Sequence, residues 1–314
     1  MVAAFLSSIL FAISALCGRR TARLLGGTAA HFWRLLFAAL LLAPFAHLWG
    51  DGLGGSGLLI FLISGGIGFG FGDVFFFQAL PRIGSRLSTL MVLCLSAPMA
   101  AVMEWAWLGT RLSGSEILCA GMILGGVAFA VMPRENPHIS KADLYPGMLF
   151  GLIAAFCQAV GAVLSRQAFD VIAHSGESVS GMTAAYQRVL GGVVVTAVCL
   201  LIVKRGEIRS ILVGNLERPL PAQWARRRRW RLAWIWVLLN GVAGPALGVS
   251  CFQSALKSTP TGIVLPIVAL TPLIVMPLAY YLEKERFSGR SIAGGVVAVM
   301  GAAILAWVQS QSKG

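Results

Sequence analysis

The chain has 314 residues, 57% of them hydrophobic and 12% charged, and its mean hydropathy is +0.81. A soluble domain holds nearer about 45–50% apolar and about 25% charged residues, so a water-soluble globule is excluded. The net charge of +13 would point to nucleic acid in a soluble protein. Here most Lys and Arg lie between apolar runs, where they set topology, and no nucleic-acid partner is expected.

The apolar residues form ten runs: 2–17, 28–49, 57–80, 87–108, 115–132, 146–168, 181–203, 232–256, 262–282 and 290–309. These lengths suit a hydrocarbon slab ~30 Å thick, and without water to bond the backbone each run must be helical. The first run lacks a basic leader and a small-residue cleavage site, so it is expected to be a retained helix. Connections are short except for the polar joint 134–145 and the basic loop 204–231. In that loop Arg226–Arg229 and Arg231 interleave with Trp224 and Trp230. The mixture suits an anionic lipid surface, at about 1 kcal/mol per basic residue. The six cysteines fall within or at the ends of the runs with no CxxC or Cys/His cluster. Neither a metal nor a cofactor is expected, and the thiols read as small buried hydrophobes.

Ordered echoes connect the two halves. Phe77-Gln78-Ala79-Leu80 is echoed by Gln253-Ser254-Ala255-Leu256, and Ala97-Pro98 by Thr271-Pro272. Thr110-Arg111-Leu112-Ser113-Gly114 matches Glu285-Arg286-Phe287-Ser288-Gly289, and Ala30–Leu36 around Arg34 matches Ala184–Leu190 around Arg188. The offset is near 174–176 downstream and 154 upstream, the difference being absorbed by the basic loop. The expected architecture is all-α and integral to the membrane, with ten transmembrane helices in two five-helix repeats. The first repeat covers 1–133, the joint 134–145 and the second repeat 146–314. An odd number of helices per repeat turns the second copy upside down, which is a common architecture of secondary transporters.

The run-three ending at Ala79-Leu80, the Pro98 and Pro272 helices, the Glu285-Arg286-Phe287-Ser288 turn and the Gly-rich fifth and tenth runs resemble the drug/metabolite transporter superfamily. The chain is similar to its EamA-type members with two tandem EamA domains, over nearly its whole length. This chain carries Thr110 where the family's Glu before Arg is expected. The resemblance implies a multi-pass protein of a prokaryotic inner membrane that moves metabolites, amino acids or drugs. A small-molecule substrate and the lipid bilayer are the expected partners, a coupling proton is among the roles open to Asp73, and the chain is expected as a monomer or homodimer.

No zinc-protease helix, Walker loop or nucleophile elbow is present, and an enzyme is not expected. The run Gly65–Gly72 is superficially like a dinucleotide loop, but it lies inside a membrane run, where small residues serve close helix approach. Gly121-x-x-x-Gly125 reads the same way. Asp73 and Glu104 stand out, because an intramembrane Asp costs about 2.5–3.5 kcal/mol on insertion scales and must face protein or water. Both are candidates for a cavity or coupling role, or for pairing with a neighbouring helix. Gln158 and Asn240, at mid-run, either line a cavity or hydrogen-bond between helices. Arg34 and Arg188, equivalent in the two repeats, either snorkel to the interface or gate the path and neutralise an anionic substrate. Pro98, Pro266, Pro272 and Pro277 each lack a backbone donor and are expected to kink runs four and nine. Trp105, Trp107, Trp234 and Trp236, near run ends, read as an interfacial belt.

The function these features suggest is a secondary transporter. A lipid flippase on the same fold is the alternative, and an intramembrane lipid-modifying enzyme would need clustered His, Asp or Ser that the sequence lacks. Orientation follows from charge: the five connections on one side hold 19 Lys and Arg, and the other side holds 4. The positive-inside rule then places the termini outside, whereas the resemblance implies cytoplasmic termini. A phosphatase fused after Gly314 is expected to be active and a fluorescent protein dark. A bright fluorescent fusion with a silent phosphatase would reverse the orientation.

Overall fold

The computed structural model describes residues 1–131, 141–203, 205, 220–283 and 289–311. Most of the joint between halves, the first part of the basic loop and Lys284–Ser288 lie outside the described residues, as do the side chains of Arg226–Arg229. The described elements are helical throughout: α1 (Val2–Leu25), α2 (Gly27–Trp49), α3 (Leu58–Gly65), α4 (Asp73–Leu108), α5 (Gly114–Val131), α6 (Lys141–His174), α7 (Gly181–Val203), α8 (Leu220–Gly241), α9 (Val249–Ser258), α10 (Thr261–Val268), α11 (Thr271–Glu283) and α12 (Gly289–Gln311). Two π-helical stretches, Gly66–Gly72 and Val242–Gly248, join α3 to α4 and α8 to α9. Among the described residues nine helical spans are long and apolar enough to cross a membrane, and Thr261–Pro277 is a shorter apolar segment. The chain is a multi-pass membrane protein.

Several helices outrun the apolar runs. The helix α1 continues past Cys17 to Leu25, so Arg19, Arg20 and Arg23 sit on its last turns rather than in a loop. Cations are favourable near a helix C-terminus, and Arg20 also lies over the Trp236 ring at 4.3 Å. Similarly, α8 begins at Leu220, within the stretch read as a basic loop. Segment nine is divided at Ala269–Leu270 into α10 and α11. Pro272 has no N–H for the Val268 carbonyl, and the Thr271 hydroxyl bonds that carbonyl instead at 2.6 Å. The neighbouring Ile267 carbonyl accepts from Ser8 of α1 at 2.9 Å. The helix α4 runs unbroken through Pro98.

Large apolar side chains such as Leu40, Ile63, Val198, Leu201 and Val296 point outward, with Trp105, Trp107 and Trp234 also exposed. Alanines, serines and threonines fill much of the interior. Lipid is as apolar as leucine, so helices associate through close contact and hydrogen bonds rather than by hiding apolar surface. The glycine run follows this rule: a Cβ on Gly65 would overlap the Arg188 carbonyl oxygen, and one on Gly70 would stand 2.5 Å from Val195. Gly191 approaches the Leu62 carbonyl in the same way, so α3 and α7 touch backbone to backbone. The Gly121-x-x-x-Gly125 reading is corrected. A Cβ on either glycine would meet no other element within 4 Å, and α5 instead meets α12 through Gly126, against Gly294 and Ala298. The helix α5 turns Gly126 rather than its neighbours toward the partner.

Contacts set the helix directions. Gly126 lies by Gly294, while Cys119 and Ile123 lie by Gly301, so α5 and α12 run antiparallel. Gly50 lies by Thr183, and Leu35 by Gly192, giving α2 and α7 the same antiparallel relation. Gln187 of α7 donates to the Gly52 and Gly54 carbonyls at 2.9 and 3.0 Å, pinning the loop after α2. Gly65→Ala is expected to lose about 3 kcal/mol or more through forced separation of α3 and α7. Gly121→Ala, at open space, is expected to leave the melting temperature unchanged. Thermal unfolding of the two purified variants compares them, and equal melting temperatures would remove the close-contact account of the glycine run.

Candidate functional site

Asp73 opens α4, directly after the first π-helical stretch, and faces α2. Its Oδ2 accepts from Arg34 Nη2 at 2.9 Å and lies 3.2 Å from His31 Nε2. Arg34 Nε donates to His31 Nδ1 at 3.0 Å, and His31 Nε2 lies 2.9 Å from the Phe69 carbonyl oxygen. Because Nδ1 accepts, the imidazole proton of the neutral ring belongs on Nε2, where it faces both Phe69 O and the carboxylate. His31 and Arg34 are one helical turn apart, so α2 presents both from one face. The three side chains close a ring in which each holds the other two. Asp73 and His31 are buried, and the Arg34 side chain is 24% exposed.

Phe69 connects this ring to a second buried group. Its carbonyl bonds His31, and its aromatic ring lies 4.8 Å from the guanidinium carbon of Arg188 on α7. Phe252 of α9 lies 5.7 Å from the same carbon. Gly68 and Gly161 leave room for the guanidinium: a Cβ on either would stand 2.9 Å from Nη2. Gln158 reaches the same place, 3.7 Å from that point on Gly68. Beside it, Ser64 donates to the Gly161 carbonyl at 2.6 Å and meets Ser165 at 2.9 Å. Gln253 donates to Ser165 at 3.1 Å. Residues from α3, α6, α7 and α9 therefore converge here, drawn from both halves of the sequence.

Glu104 lies elsewhere. Its Oε2 accepts the Thr261 backbone N–H at 2.6 Å and the Thr261 hydroxyl, and its Oε1 is 3.6 Å from Arg166 Nε. Arg166 Nη1 donates to the Leu256 and Lys257 carbonyls at 2.8 and 2.9 Å. Glu104 thus caps the start of α10, Arg166 caps the end of α9, and the two charges face one another across the turn. A carboxylate at a helix N-terminus and a cation at a C-terminus both complement the helix dipole. The face of α4 around Ala101, open by sequence, is covered by Gly262 of α10.

The structure thus gathers Arg34 with Asp73, and brings Arg188 and Gln158 to the same glycine, Gly68. It keeps Glu104 apart and gives Asn240 an interhelical bond, accepting from Ser14 of α1 at 2.6 Å. The sequence reading missed His31, Ser64, Arg166, Gln187, Gln253 and Thr261. Only His31 carried a local signal, one turn from Arg34; the others matter through contacts distant in sequence. Among the described residues no group of three or more His, Cys, Asp or Glu is placed to hold a metal ion.

Charged and amide groups are thus buried where helices from both halves of the sequence meet. The EamA-like transporter family model matches residues 1–132 and 145–307. The chain belongs to the EamA-like transporter family. Among solved structures, one titled only "Crystal structure of protein" is similar over 100% of this chain and 98% of its own, with a TM-score of 0.73 and 17% identity. That likeness shows the fold. No curated protein matches the chain.

Glu104→Ala removes the cap of α10 and leaves Arg166 with its two carbonyl partners but no facing carboxylate. It is expected to lower stability by about 1–2 kcal/mol, the usual loss for a helix cap. Glu104→Gln keeps an oxygen for Thr261 and is expected to lose less. Thermal unfolding of both variants measures this, and an unchanged Glu104→Ala protein would dissociate Glu104 from the α9–α10 turn.

Proposed function

We propose that the protein is a secondary transporter of a prokaryotic inner membrane. It moves a small solute by alternating access between two inverted five-helix halves, 1–133 and 146–314. The observation that carries this reading is the convergence of buried polar groups from both halves around Arg188, joined through Phe69 to the Arg34–His31–Asp73 ring. Intramembrane ionisable groups are costly and concentrate on substrate and ion paths. Two further features support inversion. The π-helical stretches begin at Gly66 and Val242, 176 residues apart and hence in the register of the sequence repeat. The paired helices α2 with α7 and α5 with α12 run antiparallel, as equivalent helices of inverted copies must. Interrupted helices near the midplane are where such carriers place their sites, and π-helical insertions are frequent at functional sites.

Asp73 supplies the coupling group in this mechanism. Ionised, it holds Arg34 and His31 together. Protonated, it keeps a hydrogen bond but loses the ion pair, freeing Arg34 to follow the other half as the path reopens. Metabolite profiles of overexpressing and null cells, followed by uptake into proteoliposomes, identify the solute. Asp73→Asn is expected to insert and accumulate normally while flux of that solute falls about tenfold or more, the scale of losing a charged hydrogen bond. Full flux in Asp73→Asn proteoliposomes would remove Asp73 from the mechanism. The absence of any transported solute would sink the transporter reading itself.

A further inference from the structure

Arg34 and Arg188 occupy matching places in the sequence repeat, yet only Arg34 has a carboxylate in contact. Arg34 meets Asp73 at 2.9 Å. Asp73 directly follows the first π-helical stretch, and the residue directly following the second is Val249. The second copy therefore has valine where the first has its carboxylate. Arg188 is 1% exposed, and its Nε and Nη1 atoms have no hydrogen-bond partner. The aromatic faces of Phe69 and Phe252 lie 4.8 and 5.7 Å from its guanidinium carbon; they attract a cation but accept no directed N–H bond in its plane. The Gln253 amide oxygen, one bond beyond Ser165, is also buried without a partner.

A buried, ionised guanidinium with two empty donors is unfavourable in a membrane interior, and aromatic faces offset only part of that. Gly68 and Gly161 nevertheless provide the space that holds it. A purely structural role would be met by methionine or leucine at lower cost. Arg188 feels the charge of Asp73, but among the described residues no carboxylate touches it, and its counterpart shows the chemistry that fits: a carboxylate.

We propose that Arg188 recognises the carboxylate of a small organic anion with an apolar flank, which this transporter carries between its halves. The carboxylate does at Arg188 what Asp73 does at Arg34, the apolar flank lies against Phe69 and Phe252, and Gln253 accepts from a donor on the solute. The two empty donors are sealed from solvent in this structure, so the anion enters when the halves part. This inference rests on the transporter reading and narrows it to a substrate class.

The experiment uses full-length purified protein and follows its melting temperature in sodium acetate, lactate and benzoate, each against its neutral amide at matched ionic strength. At least one carboxylate, but not its amide, is expected to raise the melting temperature of the wild type. Arg188→Met is expected to melt no lower than wild type without anion and to lose the carboxylate response, with apparent affinity falling about thirtyfold or more. Arg188→Gln serves as a second neutral variant, and Arg188→Lys is expected to keep a weakened response. A carboxylate response that persists in both neutral variants would overturn the proposal, as would no response in the wild type. Proteoliposome uptake separates the two levels. A neutral or cationic solute moved equally by wild type and Arg188→Met overturns the anion assignment and leaves the transporter standing. Carboxylate stabilisation that requires Arg188, with no solute transported, supports the anion site and rejects the transporter.

Discussion

A polar group inside the hydrocarbon slab has no water to fall back on, and the arrangement of this protein depends on where each such group finds a partner. An unsatisfied backbone group there costs several kcal/mol, more than any one helix contact returns. The break between α10 and α11 shows the rule at the scale of single atoms. Pro272 withholds a donor, and the Thr271 hydroxyl supplies it to the Val268 carbonyl while Ser8 meets Ile267. Charged groups obey it on a larger scale. Asp73 draws two partners from α2, and Glu104 and Arg166 close the ends of two helices that face each other. Glu104 Oε1 and Arg166 Nε make no hydrogen bond but face each other as opposite charges at 3.6 Å, whereas the empty donors of Arg188 touch no carboxylate among the described residues.

The same constraint explains why the interior is made of small residues. Hydrogen bonds between helices are worth about 0.6 kcal/mol each on average, so backbones must come close for enough of them to form. Gly65 and Gly191 let α3 and α7 touch directly, and that contact carries Arg188 to the level of Phe69. The glycine run thus has two effects. It brings two helices together, and it leaves at Gly68 a gap that a guanidinium fills. Any side chain at Gly68 would displace Nη2, so close approach and the charged site are products of one stretch of sequence.

Much of this was legible in the residues. Run lengths located the spans within a few positions, because hydropathy and slab thickness allow little freedom, and the boundaries of α7 agree to the residue. Helix ends carrying arginine were less visible: α1 and α8 extend beyond their apolar runs, since snorkelling cations and dipole-aligned charges let a helix continue outside the slab. The π-helical stretches left no mark in periodicity. Asp73 and Glu104 were conspicuous as isolated carboxylates, but the sequence could not separate their surroundings. One faces an imidazole and a guanidinium, the other a helix end, and both partners come from distant segments. Gly121 and Gly125 misled because a spacing names a helix face without naming the neighbour that covers it.

In the proposed pairing of the two halves, Arg34 and Arg188 are counterparts with different surroundings. In the first copy Asp73 and His31 hold Arg34 within the protein's own side chains, a closed arrangement that neutralises charge internally. In the second, Val249 follows the π-helical stretch and Arg188 is left open. A carrier must keep its two end states within a few kcal/mol of each other, so each buried charge needs a partner in whichever state encloses it. In the proposed mechanism Asp73 serves Arg34 in one state and takes a proton in the other. Arg188 has no carboxylate in contact among the described residues, and on the proposal of an anionic cargo that partner arrives with the solute. The loaded carrier then becomes easier to close than the empty one, which is the energetic condition for moving solute without leaking. In this reading the asymmetry between Asp73 and Val249 is what turns a symmetric pair of halves into a carrier with a preferred cargo.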